Sequence, residues 1–308
     1  MIKRLSVVFF IILSSYNVYA SWWNMHWIRY PDVDSTAQIW FRKQYNLPDI
    51  TTRASVSIAS SGRYILYLNG RNVSVDVLMP HAQGNSNTTS IITFEVSRFL
   101  HKGNNTIAIW YSPTLHGNKS GRQIAVDFYG ETAAGESFSY NTDSTWLCKK
   151  SNACTTANNN EIIIAPEYQY EWKDKDCPIY DWKESKICDS SKVRYKLESP
   201  ISVSNHINHI YPYRSFDNDG NKVLYDFGHS FIGWTRVTLR GMRKGQRIEI
   251  NGLTYICSGE MDEQACRKFT DSESGRALVI GPADFSIDKI MKIEGIEITP
   301  YFNITYQY

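Results

Sequence analysis

Tyr64-Ile65-Leu66-Tyr67-Leu68-Asn69-Gly70 leads into Val73, Val75 and Val77, which alternate with Ser74 and Asp76. The apolar run ends in Asn-Gly, the pair that best accepts the positive φ angles of a type I′ turn, and period-two alternation follows it. The stretch therefore reads as a β-hairpin. Outward from it, further strand-like runs lie at Ala54 to Ala59, Ile91 to Val96, Thr106 to Tyr111 and Ile124 to Tyr129. Turns such as His101-Lys102-Gly103-Asn104-Asn105 separate them. Short strands at this spacing predict an antiparallel β-sandwich over residues 21–141.

The pattern changes over residues 142–202. This stretch holds four cysteines, the run Asn158-Asn159-Asn160 and Pro166, Pro178 and Pro200, with few alternating apolar positions. It is expected to be a long connection. Strand patterns resume at Val223 to Phe227, Trp234 to Arg240, Arg247 to Asn251, Arg276 to Ile280, Ile293 to Ile298 and Tyr301 to Tyr306. A second β-sandwich over residues 203–308 follows from them. Gly259 to Phe269 is predicted as a helix capped by Ser258, with Glu260, Asp262 and Glu263 in a first turn that favours acids, and Met261, Ala265 and Phe269 facing inward.

The first twenty residues read as a signal peptide. Lys3 and Arg4 form a basic segment, Leu5 to Leu13 is apolar, and Val18-Tyr19-Ala20 suits a peptidase, so cleavage is expected after Ala20. An apolar run this short does not reach the roughly 20 residues of a membrane span. Export to the periplasm or beyond is expected, with no membrane span left after cleavage. Lys3 and Arg4 account for the whole excess of Lys+Arg 33 over Asp+Glu 31. A balanced mature chain offers no electrostatic case for a nucleic-acid partner. Of 308 residues, 42% are apolar and 14% aromatic, which excludes disorder and supplies a large core.

The cysteines fall in three near pairs: Cys148 with Cys154, Cys177 with Cys188, and Cys257 with Cys266. In an exported chain an even count reads as disulfides, so the 142–202 connection is expected to be disulfide-pinned. Cys-x-x-Cys knuckles and histidines at ligand spacing are missing, so neither a metal nor a cofactor is expected. His206 and His209 form a weak pair without a third ligand.

Several segments in order are similar to a known family. Trp27-Ile28-Arg29-Tyr30, Ile39-Trp40-Phe41-Arg42-Lys43, Gly62 to Gly70 and Leu100 to Ile107 resemble the N-terminal β-sandwich of bacterial α-L-rhamnosidases. Val223-Leu224-Tyr225-Asp226-Phe227-Gly228 with Phe231-Ile232-Gly233-Trp234 resembles the strand pair that opens their next β domain. The resemblance implies an all-β chain of two antiparallel sandwiches, of jelly-roll or galactose-binding-like type. In that family the chemistry sits in a following (α/α) barrel, where carboxylates act as general acid and base. No such segment is read here. Asp176-Cys177-Pro178 superficially resembles a barrel motif but lacks its following Arg and Glu.

Function therefore divides into three readings. The leading one is an exported, non-catalytic carbohydrate-recognition or accessory protein, or a truncated enzyme, with a rhamnose-containing glycan as partner. Sugars pack on aromatic faces and bond through their hydroxyls, which singles out Trp110, Tyr111, His116 and Asn118 in one loop region. Asp76, His81, Gln83 and Asn85 belong to the facing loop. The second reading is a glycoside hydrolase, alone or with a separately encoded catalytic domain, for which Glu260, Asp262 and Glu263 are the weak catalytic candidates. The third is a structural envelope or partner-binding protein.

Overall fold

A computed structural model describes residues 26–32, 34–80, 88–113, 122–188 and 194–301. The leader, His81, Gln83, Asn85, His116, Asn118 and most of the expected 301–306 strand lie outside them. Most of the described residues are strand, in two sheets. The smaller sheet has seven strands and includes Thr51–Ser60, Thr88–Glu95 and Gln123–Thr132. The larger has 15 and runs from Asn205–Pro212 through Ile290–Pro300, Lys222–Arg240, Ser272–Ile280, Arg247–Ile250 and Leu253–Ile256. It continues through Glu161–Ile164, Leu147–Thr155, Ala37–Leu47, Gly103–Pro113 and Gly62–Leu68 to Arg71–Asn72.

The hairpin forms as its turn chemistry demands. Asn69 and Gly70 hold φ values of 49° and 78°. Its second arm, however, is only Arg71–Asn72, and Val75 is exposed, so the alternation beyond Asn72 belongs to a loop.

All-β architecture is confirmed; two sandwiches joined by a disulfide-pinned linker are not. The stretch expected to be a connection supplies strands 147–155 and 161–164, and the second of these pairs in parallel with 253–256, Glu161 opposite Leu253 and Ile164 opposite Ile256. One sheet thus passes through both halves. Trp172, from the same stretch, is fully buried and stacks on Trp40 with centroids 5.1 Å apart. The low alternation of residues 142–202 reflected short strands and aromatic anchors, not a free tether.

Strands 37–47 and 103–113 form the central layer. Ile39, Phe41, Ile107, Ile109 and Tyr111 point into the core shared with the smaller sheet. Trp40, Ala108 and Trp110, on the opposite face, point into a second core shared with Phe227, Val237, Ile250, Tyr255 and Phe269. Continuous apolar runs such as Ile107 to Tyr111 are what burial on both faces requires.

The expected disulfides are absent, and Cys148, Cys154, Cys177, Cys188, Cys257 and Cys266 are free thiols. Cys148 and Cys154 sit on one strand opposite Phe41 and Ala37. Four residues of extended chain separate those partners by roughly 13 Å, well beyond disulfide reach. Cys177 lies in the second core, whereas Cys188 pairs with Trp27 at an edge of the smaller sheet. Cys257 and Cys266 pack in different apolar clusters. Burial pushes the Cys148 thiol up to about 11 and that of Cys257 to about 12, so both stay protonated at neutral pH.

The expected helix at 259–269 is also replaced. Asp262–Ala265 is a strand paired with Leu239 and its neighbours, with Glu263 and Ala265 turned inward. Gly259, at φ 89°, redirects the chain before it. The long strand 222–240 absorbs the two predicted strands, with a register shift between Asp226 and Phe231. At Gly233 a Cβ would stand 1.9 Å from the Ile296 carbonyl oxygen, which fixes glycine before Trp234.

Candidate functional site

The second half of the chain covers the back of the central layer fully at Trp40 but incompletely at strand 62–68. There Tyr64, Leu66 and Leu68 enter the first core, while Ile65 and Tyr67 on the other face are only half-buried. A cleft of about 450 Å³ opens beside them, a size typical of ligand pockets. Ile65, Tyr67 and Trp110 form its floor on the N-terminal side; Asn152, Ile163, Tyr168 and Tyr170 come from the middle stretch; Tyr255, Glu260, Glu263 and Lys268 come from the second half.

Five aromatic rings, of Tyr67, Trp110, Tyr168, Tyr170 and Tyr255, share the walls with polar side chains. Trp110 meets Tyr168 at 6.3 Å and Phe269 at 5.5 Å, and Tyr168 meets Tyr170 edge to face at 5.1 Å. Tyr170 is 60% exposed at the mouth, and its hydroxyl donates to Glu260 Oε1 at 2.5 Å. That bond to a carboxylate, with some burial, pushes the Tyr170 hydroxyl up to about 12.

The three acids expected as weak catalytic candidates all line this cleft, each with a defined partner. Asp262 is held by Arg240 through bonds of 2.6 and 2.8 Å, which lower its carboxyl below the ordinary range. Glu263 is buried and accepts from the backbone N–H of Ser258 at 2.6 Å, that of Gly259 at 3.0 Å and the Tyr255 hydroxyl at 3.2 Å. It closes the Ser258–Gly259 turn. Glu260 is exposed and accepts the Tyr170 hydroxyl.

Two buried lining side chains are unsatisfied. Trp110, 5% exposed, has no acceptor for Nε1–H, and Asn152, 4% exposed, has no donor for Oδ1. Each such group costs about 1–3 kcal/mol when left unmade. Asn152 Nδ2 is used, donating to the Ile164 carbonyl at 3.1 Å.

The other described sugar-site candidates do not converge here. Tyr111 turns the opposite way from Trp110, as neighbours on a strand must; it is buried in the first core and shares a 3.2 Å hydrogen bond with Ser61. Asp76 accepts from Ser74 and from the Tyr301 hydroxyl, both at 2.6 Å, and so ties the hairpin loop to the C-terminal half. Beside the cleft, Glu161 was not singled out from the sequence. It is fully buried and accepts from the backbone N–H of Phe269 at 2.8 Å and of Thr270 at 2.7 Å, and from the Thr270 hydroxyl at 2.8 Å. This carboxylate pins the 266–270 loop to the middle stretch. No sequence motif marks it.

The described residues thus form a mostly antiparallel β assembly with a partly aromatic cleft between its halves. Residues 50–205 match the alpha-L-rhamnosidase N-terminal domain family, and the chain belongs to that family. An alpha-L-rhamnosidase of Formosa agariphila is 24% identical over 291 residues, covering 77% of this chain and 29% of that protein. The solved alpha-L-rhamnosidase of Dictyoglumus thermophilum superposes with a TM-score of 0.80 at 19% identity, over 91% of this chain and 36% of that one. The enzyme from Aspergillus terreus gives 0.77 at 21% identity, again over 91% and 36%. The chain therefore spans about a third of the length of the relatives it matches. Among the described residues no helix is long and apolar enough to cross a membrane.

Proposed function

We propose that this chain is an exported, non-catalytic carbohydrate-recognition or accessory protein of the α-L-rhamnosidase kind, with a rhamnose-containing glycan as its partner. The observation that carries this reading is the fold likeness over 91% of the chain to about a third of an alpha-L-rhamnosidase, together with the match of residues 50–205 to the N-terminal domain family. The commitment of Asp262 to Arg240 and of Glu263 to a turn supports a binding role over acid–base work. The test is a binding screen of the purified chain against rhamnose-containing glycans beside a hydrolysis assay on an aryl α-L-rhamnoside. Binding without turnover is expected. Turnover by the isolated chain would overturn the non-catalytic assignment and send mutagenesis to Glu260.

A second reading, an accessory chain completed by a separately encoded catalytic domain, draws on the outer face of strands 222–240 and 272–280. Leu224 and Leu278 stand opposite one another there and are exposed, and Ile232 farther along is 58% exposed. Apolar residues so placed suit a protein contact.

A further inference from the structure

We infer that the cleft between strand 62–68, the Tyr168–Tyr170 turn and the Ser258–Lys268 segment is a glycan-binding site that takes a neutral pyranose. The inference rests on the carbohydrate-recognition reading above and gives it a place and a ligand class.

Three independent features of the cleft lead there. The first is a pair of lining side chains with an unmade polar atom: Trp110 holds a spare donor and Asn152 a spare acceptor, both side chains nine-tenths or more buried and both atoms sealed from solvent in the free protein, so a ligand meets them by displacing the wall around them. A hydroxyl is at once donor and acceptor, so the hydroxyls of a sugar satisfy both kinds of atom. An apolar ligand would leave both unpaired. The second feature is the wall. Tyr67, Tyr168 and Tyr170 offer ring surface to the C–H faces of a pyranose, and Tyr170 is fixed by Glu260 in place of swinging freely. A preset ring loses little freedom on binding.

The third feature is charge. Glu260, Asp262 and Glu263 line the cleft against Lys268. Arg240 offsets Asp262, which leaves Glu260 and Glu263 facing one cation. A uronate or sulfated sugar would bring a further negative charge into a partly dry site, where repulsion is strong. A neutral sugar meets acceptors for its hydroxyls at Glu260 and no repulsion.

The experiment is isothermal titration of the full chain with neutral rhamnose-containing oligosaccharides and with a uronate-containing oligosaccharide of equal length. Wild type is compared with Tyr170→Ala and Trp110→Phe. Tyr170 is largely exposed, so its replacement leaves the fold intact; Trp110→Phe keeps an aromatic ring but loses the pyrrole part of the indole, and with it an N–H that has no partner in the free protein. Thermal melts confirm that each variant is folded. The expected result is saturable binding of the neutral glycan, weakened about tenfold by Tyr170→Ala, as for an interface anchor, and about three- to tenfold by Trp110→Phe, the worth of one hydrogen bond. Neutral-glycan binding unchanged in both variants overturns the cleft and leaves the recognition reading standing. Tighter binding of the uronate overturns the ligand class. Absence of binding to every glycan overturns both the cleft and the reading on which it rests.

Discussion

Strands 37–47 and 62–68 belong to the same sheet and face the same first core, yet the other face of one is sealed around Trp40 and that of the other is not. Behind the first, Trp40 is wholly buried against Trp172 and Trp110. Behind the second, Ile65 and Tyr67 are only half-buried and border the cleft. The two stretches look alike in sequence, both being dense in apolar and aromatic residues. The difference lies in what the second half of the chain lays over them: a closed layer in one place, a gap rimmed by tyrosines and acids in the other. A sealed face and an open face thus come from the same strand chemistry, separated by coverage.

The largest effect is expected where coverage is complete. Trp40→Ala should lower unfolding free energy by about 3–5 kcal/mol, the usual cost of deleting a buried tryptophan. Because Trp40 packs residues from both halves, near- and far-UV signals should still fall in one transition; two separate transitions would break the picture of a shared core. Glu161→Ala should cost about 3 kcal/mol, since it strands buried N–H groups of the 266–270 loop, and denaturant titration should show it. Tyr67→Ala, at the uncovered strand, should cost only about 1–2 kcal/mol. A loss equal to that of Trp40→Ala would show that the cleft floor is core.

Lowering the pH should bring a smaller change. Burial alone would raise the Asp34 carboxyl, but bonds from Lys150 at 2.6 Å and from the N–H groups of Thr36 and Ala37 at 3.0 Å outweigh it and hold it below the ordinary range. A depressed folded-state value means that its stabilisation is present above about pH 4, the unfolded carboxylate value, and is lost as pH falls toward the folded value. In melts taken across that range, Asp34→Asn should flatten the decline. The least effect on stability is expected from Leu224→Glu, within about 0.5 kcal/mol, while sedimentation should show less self-association if the outer face is a contact.

Much of this was legible in the residues. Asn69-Gly70 dictated its turn, and the strand runs at 54–59, 106–111 and 124–129 fell where the sequence placed them. Misreadings arose where two patterns coincide. Glu260 to Phe269 has acids and four-residue spacing, yet Glu263 and Ala265 also keep period two, and pairing with strand 222–240 decided the outcome. Cysteine pairs close in sequence were not close in space, because extended chain carries Cys148 and Cys154 apart along one strand. The three acids, Trp110 and Tyr170 meet only because the parallel pairing of strands 161–164 and 253–256 brings distant segments together. Local spacing holds no trace of that pairing, so the cleft could not be read before the fold was known.

The account stands most directly on whether the cleft receives a sugar. The decisive measurement is the intrinsic tryptophan and tyrosine fluorescence of the purified chain during titration with a neutral rhamnose-containing oligosaccharide, run in parallel on Tyr170→Ala. A saturable change in the wild type, shifted to higher ligand concentration in the variant, is the predicted result. Identical curves for the two proteins, or no change in either, would contradict it.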